Sequence, residues 1–190
     1  MRTKGNDRSL NPTGYHFSLS FFSLLLAPAF LSACASGSRI REATLAPAFS
    51  LKDGQGKIVH LSDFRGRPVL LDFWATWCDS CRQSIPLYEN IQRKHAKQGL
   101  AVIGICEGGH VEAIRRFALR RKISYPVLLD SADEAEQAYD IYSIPTTILV
   151  GPDGRILKRW DGFDDNTAAE ILARIESLLE PRRRVRAGAD

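Results

Sequence analysis

The chain reads as an α/β protein with a central mixed β-sheet flanked by helices and a β-hairpin extension on its N-terminal side. Three observations point there. Apolar, β-prone runs alternate with segments of helical period from Pro68 to Tyr139. A strand–turn–strand pattern occurs twice, at 49–60 and at 146–160. An amphipathic segment closes the pattern, with Ile171, Leu172, Ile175, Leu178 and Leu179 on one helical face.

In order, Phe49–Leu51 and Lys57–His60 flank the turn Asp53-Gly54-Gln55-Gly56, the signal for the first hairpin. Residues 61–66 form a turn into a strand over 68–74. A helix is expected from Cys78 to Gln98, closed by Gly99 and kinked by the internal Pro86. A strand over 100–106 follows, then a helix over 111–122, a strand over 125–129 and a helix over 132–139. Strands over 146–150 and 155–160 turn at Gly151-Pro152-Asp153-Gly154, and a helix over 167–179 ends the domain. No internal repeat is seen.

The 190 residues suit one domain with a sizeable core, and 44% hydrophobic with 25% charged residues is ordinary for a globular protein. The net charge of +4 comes from the ends. Residues 34–180 hold 19 basic and 20 acidic side chains, a balance that argues against a nucleic-acid-binding body. Arg182, Arg183, Arg184 and Arg186 make 181–190 a basic, disordered tail.

The chemistry concentrates at Cys78-Asp79-Ser80-Cys81, two thiols one helical turn apart after an apolar strand. A dithiol opening a helix suits reversible disulfide exchange, because helix N-terminal amides favour a thiolate. Asp72 is an acidic residue inside that strand, which is costly unless it is functional or paired. Burial should raise its pKa and make it a proton acceptor for Cys81; the alternative is an ion pair with a lysine such as Lys97. Asp79, beside Cys78, opposes thiolate formation and argues for a reductase over an oxidant. Cys106 ends a strand on the edge where active sites lie; the plainer reading is an inert buried thiol, and a zinc site with His110 and the dithiol lacks a second knuckle.

Val69 to Cys81 (VLLDFWATWCDSC), Pro86, Ser143 to Thr147 (SIPTT) and Gly151 to Gly154 (GPDG) together resemble the thioredoxin superfamily, and within it the exported TlpA-like and ResA-like thiol-disulfide oxidoreductases. The resemblance spans 46–180. It implies a redox disulfide between Cys78, the nucleophile, and Cys81, the resolving thiol. It also implies a cis-proline loop at Ile144-Pro145 that, with Trp77, binds the partner backbone. No cofactor is implied. ResA-like members that serve cytochrome c maturation carry glutamate three residues past the second cysteine; Ser84 stands there in this chain and puts that role in doubt.

Arg2, Lys4 and Arg8 precede an apolar run over 17–31, too short for a comfortable membrane span. It ends in Leu31-Ser32-Ala33-Cys34, which resembles a bacterial lipoprotein signal. That resemblance implies a signal peptide over 1–33, lipidation at Cys34 and a tether over 34–45. Because Ala35 is not aspartate, an outer-membrane destination on the periplasmic side is favoured. The alternative is an ordinary cleaved signal with an incidental cysteine.

The expectation is therefore an extracytoplasmic, lipid-anchored enzyme that reduces disulfides of exported proteins and draws electrons from a membrane thiol donor. Two alternatives stand beside it. One is a copper or haem delivery module using the dithiol as ligand. The other is a thiol peroxidase, although Thr76 and its surroundings lack the P-x-x-x-T-x-x-C spacing of peroxiredoxins.

Overall fold

A computed structural model describes residues 44–180 of the chain. The expected signal peptide, Cys34, most of the expected tether and the basic residues 181–190 lie outside the described residues. The elements are β1 (Ser50–Asp53), β2 (Ile58–His60), β3 (Val69–Trp74), α1 (Cys81–His95), β4 (Ala101–Glu107), α2 (Val111–Arg121), β5 (Val127–Asp130), α3 (Glu134–Ala138), β6 (Thr146–Val150), β7 (Ile156–Asp161) and α4 (Asp165–Leu179).

The seven strands form one sheet in the order β2-β1-β5-β4-β3-β6-β7. β3, β4 and β5 run parallel, as crossovers through α1 and α2 require, and the outer pairings are antiparallel. The N-terminal hairpin extends the sheet by pairing β1 with β5. β3 is buried along its whole length because it lies near the middle with helices on both faces, so it reads as an unbroken apolar run apart from Asp72. Leu70, Trp74, Val102 and Cys106 face the layer of α1, α2 and α4. Leu71, Phe73, Ile103 and Ile105 face the layer of α3 and the N-terminal segment.

Three expectations are corrected. Thr44 and Leu45, placed in the tether, are paired: the Thr44 carbonyl accepts the Ile156 N–H at 2.8 Å and Leu45 bridges Arg155. The helix after β3 begins at Cys81, not Cys78. The N–H groups of Cys78, Arg82 and Gln83 donate to the carbonyls three residues back, so 75–80 is wound into tight turns before α-helical bonding starts. α1 then runs through Pro86 to His95, and a short 3-10 turn over Ala96–Gln98 ends at Gly99 with φ of 95°. α4 starts two residues earlier than expected, where Asp164 accepts the Thr167 N–H at 2.7 Å as its N-cap.

Candidate active site

β3 and β4 end, and β6 begins, at one edge of the sheet. That edge gathers the turn bearing Cys78 and the loop bearing Ile144-Pro145, because β6 is antiparallel to β3 and pairs Thr146 with Phe73. The Ile144-Pro145 peptide bond is cis, as the resemblance implied. Its loop is pinned by Gly162 N–H donating to the Pro145 carbonyl at 2.8 Å, and by Thr146 Oγ1 donating to the Ser143 carbonyl at 2.7 Å. Trp77, beside Cys78, and Tyr142, ahead of the cis bond, are 70% and 87% exposed. Large apolar side chains left open there are a surface on which a partner can lie.

Cys78 and Cys81 form a disulfide with Cα atoms 5.3 Å apart. Cys81 is wholly buried as the first residue of α1, while Cys78 keeps a small exposure outside the helix. Cys78 therefore does not occupy the first helical position. It faces that position: the Cys81 N–H, one of the amides a helix start leaves without an intrahelical partner, donates to Cys78 Sγ at 3.1 Å. The Ser80 hydroxyl lies 3.4 Å from the same sulfur. Asp79 is not an isolated charge beside Cys78. Its carboxylate pairs with Arg82 at 2.6 Å, and Arg82 also donates to the Thr76 carbonyl.

Asp72 is fully buried, and among the described residues neither carboxylate oxygen has a hydrogen-bond partner. Desolvation holds its pKa well above the usual carboxylate range. It is not paired with Lys97, which sits exposed after α1. Registered neighbours share a face, so Asp72 stands between Gly104 of β4 and Thr147 of β6 on the side that α1 covers. Cys81, Ser84 and Tyr88 succeed one another along that face of α1. Ser84 Oγ donates to the Cys81 carbonyl at 2.9 Å, and the Tyr88 hydroxyl is 2.6 Å from Thr147 Oγ1. Burial and then the Asp72 carboxylate hold the Tyr88 phenol in its neutral form.

Sequence reading missed Thr147, registered beside Asp72 across β3 and β6, and Tyr88 and Tyr125, two buried phenols that the Asp72 charge helps keep neutral. Only Thr147 carried a signal, as part of SIPTT. Gly104 was also missed. A Cβ there would stand 2.8 Å from Trp74 Nε1, so glycine is what lets the tryptophan pack across β4. Cys106 is buried behind this group, and desolvation pushes its thiol up to about 12. His110 is exposed at the start of α2.

Comparison with known proteins agrees with this arrangement. The AhpC/TSA family model matches residues 43–159. A curated relative, thiol-disulfide oxidoreductase ResA of Bacillus subtilis strain 168, is 38% identical over 120 residues, covering 63% of this chain and 66% of its own. ResA of Halalkalibacterium halodurans is 30% identical over 168 residues, covering 88% of this chain and 87% of its own. Among solved structures, one from Chlorobium tepidum described as a thiol:disulfide interchange protein DsbE superposes with a TM-score of 0.69 at 29% identity, covering 72% of this chain and 96% of that one.

Proposed function

Since the chain belongs to the AhpC/TSA family and is a thiol-disulfide oxidoreductase of the ResA kind, we propose that it works outside the cytoplasm, tethered to a membrane, reducing disulfides of exported proteins. The observation that carries the reading is the asymmetry of the Cys78–Cys81 pair. Cys78 keeps a small exposure and its sulfur accepts a helix-start amide, whereas Cys81 is wholly buried on the α1 face that covers an unpartnered carboxylate.

The reaction follows from that asymmetry. In the dithiol form, Cys78 reacts as the thiolate, which the Cys81 N–H and the Ser80 hydroxyl stabilise. It attacks one sulfur of the partner disulfide; a mixed disulfide forms and the partner's first thiolate leaves. Trp77 and the cis-proline loop at Ile144-Pro145 hold the partner strand against Cys78. Cys81 passes its proton to Asp72 and attacks Cys78 Sγ. The intramolecular disulfide re-forms and the partner's second thiolate leaves. The partner has gained two electrons, which a membrane thiol donor must restore to the enzyme. The lipid anchor at Cys34, facing the periplasm and favouring the outer membrane, rests on the Leu31–Cys34 motif. Among the described residues no helix is long and apolar enough to cross a membrane.

Direction is decided by the reduction potential. One amide and one hydroxyl on Cys78, with no histidine between the cysteines, stabilise the thiolate modestly. The potential should therefore fall nearer thioredoxin's, about −270 mV, than DsbA's, about −120 mV. Equilibration with glutathione buffers measures it, and a value above about −170 mV would make the protein an oxidant and end the reductase reading.

A further inference from the structure

Helix α2 carries cations that the redox chemistry leaves unused. The chain is near charge balance over 34–180, yet Arg115, Arg116, Arg120, Arg121 and Lys122 fall in one short stretch. Arg115 is neutralised by Glu112 at 2.9 Å. Among the described residues no carboxylate pairs with Arg116, Arg120 or Arg121, and the Arg121 guanidinium lies 5.6 Å over the Phe117 ring. These three arginines, with Thr76, Arg82 and Phe117, line an open cavity of about 380 Å³ between the start of α1 and α2. Arg82 enters from the α1 side, held by Asp79 and the Thr76 carbonyl through its terminal nitrogens, with its Nε buried and without a hydrogen-bond partner among the described residues. Arg82 is already joined by the Asp79 carboxylate, so the three guanidinium groups of Arg116, Arg120 and Arg121 are the ones that repel each other around the cavity unless an anion joins them, and their planar forks match carboxylates.

The cavity adjoins the disulfide, since Thr76 lies two residues before Cys78 and Arg82 directly follows Cys81. The geometry points to a docking site for an acidic segment of the partner protein, whose carboxylates engage Arg116, Arg120 and Arg121 while its disulfide lies against Cys78. This rests on the exchange with protein partners proposed above, and it adds a selectivity: acidic flanks beside the partner's cysteine. A polypeptide fits better than a free anion because the lining residues Thr76 and Arg82 flank the dithiol, which a partner chain must approach for exchange. It fits better than nucleic acid because the rest of the domain is not basic.

The test uses the full chain and two matched peptides, one with three glutamates and one with glutamines in their place. Binding of fluorescent, cysteine-free versions is read by anisotropy for wild type, for Arg116→Ala with Arg120→Ala, and for Arg116→Glu with Arg120→Glu. Wild type should hold the acidic peptide about tenfold or more tighter than its control, with the preference falling as salt rises and vanishing in both double variants. Disulfide-linked versions of the peptides should be reduced with the same preference, and the variants should reduce both at the control rate. Equal binding by wild type, or a preference that survives in the variants, overturns the docking site. Displacement by millimolar inorganic phosphate, or tighter binding of a single-stranded oligonucleotide, overturns it in favour of those anions. Anisotropy needs no thiol exchange, so a preference seen there without reduction of either peptide sinks the reductase reading and leaves the docking site standing.

Discussion

Cys78 and Cys81 are three residues apart, yet only Cys78 has both an exposed edge and an amide donor on its sulfur. Cys78→Ser should therefore abolish disulfide reduction, and Cys81→Ser should accumulate mixed disulfides with partners, visible on non-reducing gels. In the reduced protein iodoacetamide should label Cys78 first; faster labelling of Cys81 would reverse the assigned roles. Cys106, buried and held protonated, should label only on unfolding. Asp72 makes a second prediction with two readouts. Asp72→Asn should slow resolution of the mixed disulfide about 10²- to 10⁴-fold, the usual cost of losing one positioned base, without preventing its formation. It should also change the pH dependence of stability. A carboxyl whose folded pKa is raised binds more protons folded than unfolded, so stability falls as pH rises from the unfolded value, near 4, through the folded one. Glu107 adds a slope of the same sign, because burial and then Glu136, Asp133 and Asp130 push it up to about 7. Urea titrations are therefore compared in a Glu107→Gln background, where Asp72→Asn should flatten the slope and raise stability at neutral pH. A variant that unfolds more readily and turns over normally would make Asp72 a structural residue.

At the scale of elements, the site depends on how β3, β4 and α1 meet. Gly104 leaves a gap on β4 that Trp74 Nε1 and the Tyr125 ring fill, and Trp74 stacks in turn on Phe117 of α2 at 5.0 Å between ring centroids. A methyl group there meets packed rings on the central sheet, not a flexible chain end. Gly104→Ala should cost about 1–3 kcal/mol of unfolding free energy by overpacking. Chemical denaturation checks this, and an unchanged midpoint would show that Trp74 can move aside. α1 shows a different dependence. Its first free amide stabilises the sulfur of a residue outside the helix, so the tight turns over 75–80 are as much part of the site as the helix itself.

For the whole molecule, location and charge decide which partners it meets. The catalytic domain is nearly neutral, so the proposed membrane attachment rests on Cys34 in the N-terminal segment, outside the described residues. Cys34→Ala should release the protein from membranes into the soluble exported fraction with its activity intact. Recovery of wild-type protein as soluble, with an unmodified N-terminus by mass spectrometry, would rule the anchor out.

The apolar alternation, the two hairpin turns and the dithiol after a buried strand were legible in the sequence because each is a local pattern of period or spacing. From those, with the SIPTT motif, came the order of elements, the redox pair and the cis bond at Pro145. Three things were decided only by the tertiary structure. Asp79 met Arg82, which removed the lone charge expected beside Cys78. Tyr88, Thr147 and Gly104 came together around Asp72 from three separate elements. The arginines of α2, which no local pattern singled out, came to line a cavity beside the disulfide. Each outcome depends on contacts between segments far apart in the chain or on side-chain geometry, and neither is written in the local pattern of residues.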